Sequence, residues 1–303
     1  MALTMVRRSF LVSAAAASQS WAAANDRLRV AIVGLGSRGT AHIKELLLVA
    51  NLEIAALVEV DGARAEAASQ AVFAKTGKRP LIFTDMRRAF EDKNIDAVTI
   101  ATTNHWHALT AIWAMQAGKH VYVEKPVSHN IFEGIQLVKT ARKYNRVAAG
   151  GTQRRWWGPF RKAVELLHAG TIGDIYQGNF VFPGNRDSLG FKPVTQPPAN
   201  LNWDLWVGPA PMVPYRSNML PGIWRWWYEF GCGDMGNDGV HDLDVGRWGL
   251  GVTTQPSTVS ALGGKYFFDD DQQFPDTQTV IFEWPGDGKI GHKKQLIFEQ
   301  RIW

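Results

Sequence analysis

The sequence predicts an α/β protein in two domains: a doubly wound parallel sheet over residues 25–150, then a more β-rich, α+β region over residues 151–303. Three observations predict it. Apolar strand-like runs alternate with helical patterns from Leu28 to Gly150, and a glycine-rich turn, G-L-G-S-R-G, follows the first run. Beyond Gly151, Pro/Gly-rich turns separate short strand-like stretches. Such alternation puts a ligand crevice at the carboxyl ends of the parallel strands, so the strand exits are the informative loops.

Leu28 to Val33 is the first strand. Gly34, Gly36 and Gly39 fill the glycine places of a dinucleotide fingerprint, giving a tight turn, close approach of the backbone to a pyrophosphate, and close packing of helix on strand. Ser37 and Arg38 complete the turn. The helix that follows, marked by Ala41, Ile43, Leu46, Leu47 and Val49, aims its free N–H groups and positive dipole end at the pyrophosphate. Leu52 to Val58 is the second strand and ends at Glu59, where a carboxylate accepts hydrogen bonds from the adenosine ribose and repels a 2'-phosphate. NAD is therefore the expected cofactor, with NADP the alternative because Arg64 lies close by.

Leu81 to Phe83, Ala97 to Ala101, Val121 to Val123 and Val147 to Ala149 continue the strands, and Ile131, Ile135 and Val138 repeat at helical spacing between two of them. The fourth strand exits into Thr102-Thr103-Asn104-His105-Trp106-His107, the fifth into Glu124-Lys125-Pro126, and both exits face the reactive end of the cofactor. Proline restricts the residue before it and fixes the direction of Lys125, whose ammonium can orient a substrate hydroxyl. Thr102, Asn104, His107 and Glu124 are expected beside the cofactor, as is Gln153 after the sixth strand. Arg154 or Arg155 is positioned to bind a substrate carboxylate or hydroxyls, a surface role being the alternative. His105 and His107 pack nearby without a third ligand spaced to make a metal site, so no metal is expected.

In the second half, Phe160, Val164 and Leu167 mark one amphipathic helix, and Ile172 to Phe182 a strand. Tryptophan concentrates here. Trp224, Trp226 and Trp227 are candidates to line a substrate pocket, with core packing the alternative for each.

Composition excludes several classes. The formal charge of +5 falls to +3 without residues 1–24, which carry Arg7 and Arg8 and no acid, and the remaining basic residues form no nucleic-acid-binding stripe. The single Cys232 excludes an internal disulfide and a cysteine metal cluster, and no apolar run approaches the roughly twenty residues a membrane helix requires. Residues 1–24 have the order of a twin-arginine signal: Arg7-Arg8, an apolar segment, then Ala22-Ala23-Ala24. Export of a folded chain to the periplasm by the twin-arginine translocase, with cofactor already bound, is the expectation.

The glycine turn, the N-H-W-H-A stretch, E-K-P, and G-N-D-G-V-H-D-L-D over residues 236–244 together resemble the Gfo/Idh/MocA oxidoreductase family. The resemblance implies an N-terminal Rossmann domain and a C-terminal domain with a large open, mostly antiparallel sheet that bears the substrate. It implies hydride transfer between nicotinamide and a secondary alcohol or ketone of a sugar or cyclitol. By position, Lys125 matches the family's active-site lysine and His241 its histidine, the expected general acid/base. Asn237 stands where many members carry an aspartate, so Asp234, Asp242 or Asp244 is expected to substitute, or His241 acts alone. Two rival readings are an NAD-dependent glycosidase working through transient oxidation, and a non-catalytic nucleotide- or sugar-binding relative. Relatives commonly continue further, so an incomplete sheet with an uncovered edge is expected at Phe298 to Trp303, completed by homo-oligomerisation or marking a truncated product.

Overall fold

A computed structural model describes residues 27–303, and the expected export signal lies outside the described residues. The chain divides into two compact units. Unit 1 comprises the residues up to Gly151 together with Pro193–Trp224 and Glu229–Gly231; unit 2 comprises Thr152–Lys192, Arg225–Tyr228 and Cys232–Trp303.

Unit 1 is a parallel sheet of six strands in the order β3-β2-β1-β4-β5-β6. The strands are β1 (Leu28–Val33), β2 (Leu52–Val58), β3 (Leu81–Phe83), β4 (Ala97–Ile100), β5 (His120–Val123) and β6 (Ala148–Gly150). Between them run α1 (Ser37–Leu46), α2 (Gly62–Thr76), α3 (Met86–Glu91), α4 (Asn104–Gln116) and α5 (Ile131–Lys143). Alternate residues of each strand serve opposite faces. Ile32 and Leu57 pack with Ile43 of α1 and Val72 of α2, whereas Ala31, Val33, Ala56 and Val58 pack with residues of α3, α4 and α5. The central strands are thus covered on both sides and mostly apolar, whereas the edge strands β3 and β6 are largely exposed.

On α5 the helix forms where the spacing predicts, but Leu137 is its buried contact, while Ile131, Ile135 and Val138 are exposed. Periodicity located the helix and not its inward face.

The sequence groups residues 193–224 with the second half, whereas the contacts put them in unit 1. Two anchors hold them. At the exit of β2, Asn202 N–H donates to Val60 O (2.9 Å), Gly62 N–H to Asn200 O (3.0 Å) and Asn200 Nδ2 to Asp61 Oδ1 (2.7 Å). At the start of α4, the Trp106 indole donates to Trp206 O (3.0 Å), and a His105 ring nitrogen meets Val207 O at 3.0 Å. Around His105 stand Trp206 and Phe230, with ring centroids 5.9 and 5.1 Å away, and Trp203 stacks on Trp206 at 4.8 Å. Residues 200–207, including the short helix α7 (Trp203–Val207), therefore run as a strap from the β2 exit to α4.

Unit 2 is a four-stranded sheet in the order β7-β10-β9-β8, built from β7 (Gln177–Pro183), β8 (Thr258–Gly264), β9 (Thr277–Trp284) and β10 (Lys294–Arg301). Two of its pairings are antiparallel and β10–β7 is parallel, so the sheet is mixed and, as the resemblance implied, mostly antiparallel. The first strand begins five residues later than the sequence suggests, because residues 169–173 turn. The last strand is not an edge. β10 lies between β7 and β9, with Leu296, Phe298 and Gln300 buried, and the edges are β7 and β8. On this sheet packs α8 (Val240–Leu250), whose Gly246 comes so close that a Cβ there would stand 2.7 Å from Leu296 Cδ1. Alongside α8 runs α6 (Gly158–His168), the amphipathic helix expected from Phe160, Val164 and Leu167. No helix of the described residues is long and apolar enough to cross a membrane.

Burial in the aromatic cage lowers the His105 pKa to about 4 from an ordinary 6.5, against the hydrogen bonds that favour its cation. The folded state therefore resists a proton that the unfolded chain accepts, and stability is full above pH 6.5 and falls as pH drops towards 4. For His105 alone the loss is on the order of 3 kcal/mol. Denaturant melts across that window are expected to show the slope in the native chain, and a slope reduced by one proton in His105→Gln; His107 and His120, shifted the same way by burial, retain the rest.

Candidate functional site

The site is built on the carboxyl edge of the unit 1 sheet. β1 runs into Gly34, whose φ of +84° suits glycine, and a Cβ there would stand 2.7 Å from the Ala101 carbonyl at the exit of β4. Gly39, one turn into α1, sits so close beneath that its Cβ would fall 1.9 Å from Gly34 O. Gly36 is different. It precedes α1 with an ordinary φ of −65°, and the nearest atom to a Cβ built there is Arg64 Nη1 at 3.9 Å. The space above the N-terminus of α1 is open, no side chain of the described residues caps the helix, and the first N–H groups of a helix have no intrahelical acceptor. The donor set and the open seat fit a dinucleotide pyrophosphate.

Glu59 ends β2 as expected, but it has structural work as well. Its carboxylate accepts from Leu35 N–H (2.7 Å), Val60 N–H (2.9 Å) and Asp61 N–H (3.1 Å), pinning the glycine turn to the β2 exit. A carboxylate offers about four lone-pair sites, which leaves room for a ribose hydroxyl. Arg64 donates from Nε to Asp61 at 3.2 Å, so its cation is partly balanced beside the seat.

At the β4 exit, Thr103 precedes α4 and Asn104 begins it, buried. Both ring nitrogens of His107 are engaged within the chain. The residue is fully buried, with Nδ1 2.6 Å from Pro126 O and Nε2 3.1 Å from Thr102 O, so it joins the β4 and β5 exits. Burial lowers its pKa, and the neutral ring donates to one of the two carbonyls.

Glu124 is also buried. Its Oε1 receives Arg38 Nε at 2.7 Å and His42 Nε2 at 2.9 Å. Burial would raise this carboxyl, but the hydrogen bonds from His42 and Arg38 outweigh it and hold the pKa down at about 2. Lys125 follows directly, half-buried, with a cis bond to Pro126. Sequence reading missed His42, although it lies one helical turn beyond Arg38, on the same face of α1.

Unit 2 gathers the second set. Gln153 opens a 3₁₀ turn, Gln153–Trp156, and is exposed. The two following arginines are paired with α8: Arg154 with Asp242, and Arg155 with both oxygens of Asp244 at 2.7 to 3.0 Å. Asp244 is thus an ion-pair anchor, its oxygens held by a guanidinium fork, which is a poor arrangement for a proton acceptor. His241 lies buried in the first turn of α8. In the π-helical turn before it, Met235–Gly239, Asn237 accepts from Arg225 Nε (3.0 Å) and donates to Asp238 (2.9 Å). Asp234 is buried, its pKa raised by that burial against a hydrogen bond from the Trp226 indole at 2.6 Å. Trp226 and Trp227 are buried, as is Trp224 at the end of a unit 1 segment, and Arg186 lies over the Trp226 ring at 4.4 Å. Arg225 and Arg186 gave no sequence signal, because their partners are set by packing. Among the described residues, no group of three or more His, Cys, Asp or Glu is placed to hold a metal ion.

The two glycines of the turn separate folding from binding. Gly36→Ala is expected to leave the melting temperature unchanged and weaken NAD binding at least tenfold by calorimetry, because its methyl enters the open seat. Gly39→Ala, colliding with backbone, is expected to lose stability and binding together.

Residues 28–152 match a family described as an oxidoreductase family with an NAD-binding Rossmann fold, and residues 173–279 match the C-terminal alpha/beta domain of an oxidoreductase family. A glycosyl hydrolase family 109 protein 1 from Akkermansia muciniphila is 28% identical over 161 residues, which is 52% of this chain and 34% of that protein. A myo-inositol 2-dehydrogenase from Thermotoga maritima is 29% identical over 146 residues, 48% of this chain and 42% of that one. The chain spans less than half the length of these curated relatives. Among solved structures, the WlbA dehydrogenase from Bordetella pertussis, in complex with NADH and UDP-GlcNAcA, superposes with a TM-score of 0.69 at 20% identity, covering 91% of this chain and 71% of that one. An NAD-binding protein from Listeria innocua gives 0.66 at 24% identity, covering 91% and 67%. At these identities the solved structures speak for the fold. With both halves of the chain matched and the glycine seat built as a dinucleotide requires, the chain belongs to the Gfo/Idh/MocA oxidoreductase family and carries its NAD-binding Rossmann fold.

Proposed function

We propose that the protein is an NAD-dependent oxidoreductase acting on a secondary alcohol, or the corresponding ketone, of a sugar, cyclitol or derivative. The observation that carries this reading is the open seat at Gly36, with Glu59 fixed on one side of it and Lys125 at the β5 exit. Similarity to a myo-inositol 2-dehydrogenase and to a dehydrogenase in complex with UDP-GlcNAcA supports the substrate class. NAD, when bound, supplies the two-electron acceptor or donor. In this mechanism the Lys125 ammonium orients the substrate hydroxyl and stabilises negative charge on its oxygen as the proton leaves. His241 accepts that proton at a ring nitrogen and returns it in the reverse direction. Asn237, committed to Arg225 and Asp238, holds a cation in place instead of moving a proton. Asp234, buried and shifted towards its neutral form, is the carboxyl best suited to substitute for the missing aspartate, ahead of the arginine-bound Asp242 and Asp244.

A second reading, glycoside cleavage through transient oxidation, is favoured by the glycosyl hydrolase name of the Akkermansia relative. Export by the twin-arginine route belongs to the proposal on the strength of Arg7-Arg8 and the small residues before Asn25.

The test is mass spectrometry of small molecules released on denaturing the purified protein, with reduced-nicotinamide absorbance followed as a sugar and cyclitol panel is added. Released NAD and reduction by one class of substrate are expected. Lys125→Ala is expected to lower kcat by about 100-fold or more while NAD is still released. Free sugar from an aryl glycoside, without net NADH, would transfer the assignment to the second reading. Folded protein unable to bind nucleotide would leave a non-catalytic relative.

A further inference from the structure

The residue before Lys125 carries a network that the proposed chemistry does not use. Glu124 leaves β5 through a peptide unit bonded to the sheet on both sides: the Glu124 N–H donates to Ile100 O (2.9 Å), and the Val123 carbonyl accepts from Gly151 N–H at the exit of β6 (2.8 Å). Its side chain turns inward. Oε1 receives Arg38 and His42 from α1, and the Tyr122 hydroxyl lies 3.5 Å away. Oε2 lies against Gly151, where a Cβ would approach it to 2.8 Å, so the carboxylate is wedged as well as bonded. His42 in turn packs edge-on to the Tyr122 ring at 5.5 Å.

One buried carboxylate therefore ties together α1, whose first turn forms the phosphate seat, and the β5 exit, which carries Lys125. Arg38 is itself part of the glycine turn, two residues after Gly36. We infer that Glu124, with Arg38 and His42, is a positioning residue that sets the helix N-terminus and Lys125 in one register, making dinucleotide affinity and the electrostatic environment of the Lys125 ammonium depend on the same group. This inference rests on the dinucleotide and Lys125 roles proposed above. Beside the expectation that Glu124 lies next to the cofactor, the structure gives its Oε1 a second task, the binding of Arg38 and His42 of α1.

The physical content is electrostatic as well as steric. A fixed anion one residue away favours the charged form of a lysine, and Arg38 and His42 temper it. The other titratable groups packed around this exit are Tyr122 of β5, raised to about 12 by burial and by Glu124, and His107 of α4, neutral at the Pro126 carbonyl; Glu45 pairs with Arg38 and adds its charge at Tyr122. Glu124 stays ionised throughout the neutral range, so it holds charge and does not shuttle protons.

The test uses two readouts that need no substrate: NAD affinity by calorimetry, and the pH profile of Lys125 labelling by an amine-reactive reagent, read by peptide mass spectrometry. Glu124→Gln is expected to weaken NAD about tenfold and move the labelling profile to lower pH, because the neighbouring anion is gone. Glu124→Asp, which keeps the charge but shortens the reach, is expected to restore much of the labelling profile and little of the affinity. If Glu124→Gln fails to fold, Arg38→Gln, at a partly exposed side chain, carries the test: affinity falls and the profile moves to higher pH as the anion loses its partner. A folded Glu124→Gln protein with native affinity and an unmoved profile, or one that loses only melting temperature, overturns the inference. Native protein that binds no NAD would instead overturn the functional reading, and protein that binds NAD, shows both shifts, yet turns over no sugar would leave the positioning role standing without that reading.

Discussion

Unit 1 depends on one close backbone approach. The turn after β1, the first turn of α1 and the exit of β4 meet at distances that leave no room for a Cβ at Gly34 or Gly39. Everything the crevice needs follows from that contact. It brings the helix N-terminus over the end of β1, orients its free N–H groups into open space above Gly36, and fixes where β4 must leave the sheet. Glu59 then reinforces the same point from β2 by binding the backbone of Leu35. The seat is rigid because it is held by main chain on two sides and by a carboxylate on a third.

Around this frame the ionisable groups divide by burial and partners. His105 and His107, caged by aromatic rings or set between carbonyls, are driven towards the neutral form and serve as joints between segments. Glu124, equally buried, is driven the other way because Arg38 and His42 donate hydrogen bonds to it. Desolvation is common to all three, and the partner decides the sign. In unit 2 the same logic separates Asp244, held by a guanidinium, from Asp234, which has an indole N–H and a dry environment.

The strands of unit 1 and the glycine turn were legible because their signals are local: apolar runs of the right length, punctuated by glycine, with Glu59 at a fixed spacing. β1, β2 and β3 have the limits the sequence suggests. What was illegible is non-local. The inward face of α5 depends on neighbours that leave Ile131 exposed and bury Leu137. The central place of β10 follows from pairing with β7, more than a hundred residues earlier, and the terminal strand therefore looked like an edge. The Glu124 network joins residues 82 and 86 positions apart, so only the Arg38–His42 spacing on one helix face hinted at it. His241, Asn237 and Lys125 could be singled out by motif, yet the ion pairs that commit Arg154, Arg155 and Asp244 to one another arise only on packing.

The strap from Asn200 to Val207 has a consequence for how the chain is made. On the ribosome, the six strands of unit 1 emerge well before the residues that close the cage around His105, which come from positions 203, 206 and 230. Until Trp206 has been synthesised, the indole of Trp106 lacks its carbonyl partner, and until Phe230 follows, the His105 ring lacks its last aromatic wall. The nucleotide-binding unit is thus a folding unit of discontinuous sequence. Its last stabilising contacts close a loop of about a hundred residues, a step whose entropy grows only slowly with the length of the insertion. Completion of the first unit is in this way delayed until the opening segments of the second, residues 152–192 and 225–228, have been translated.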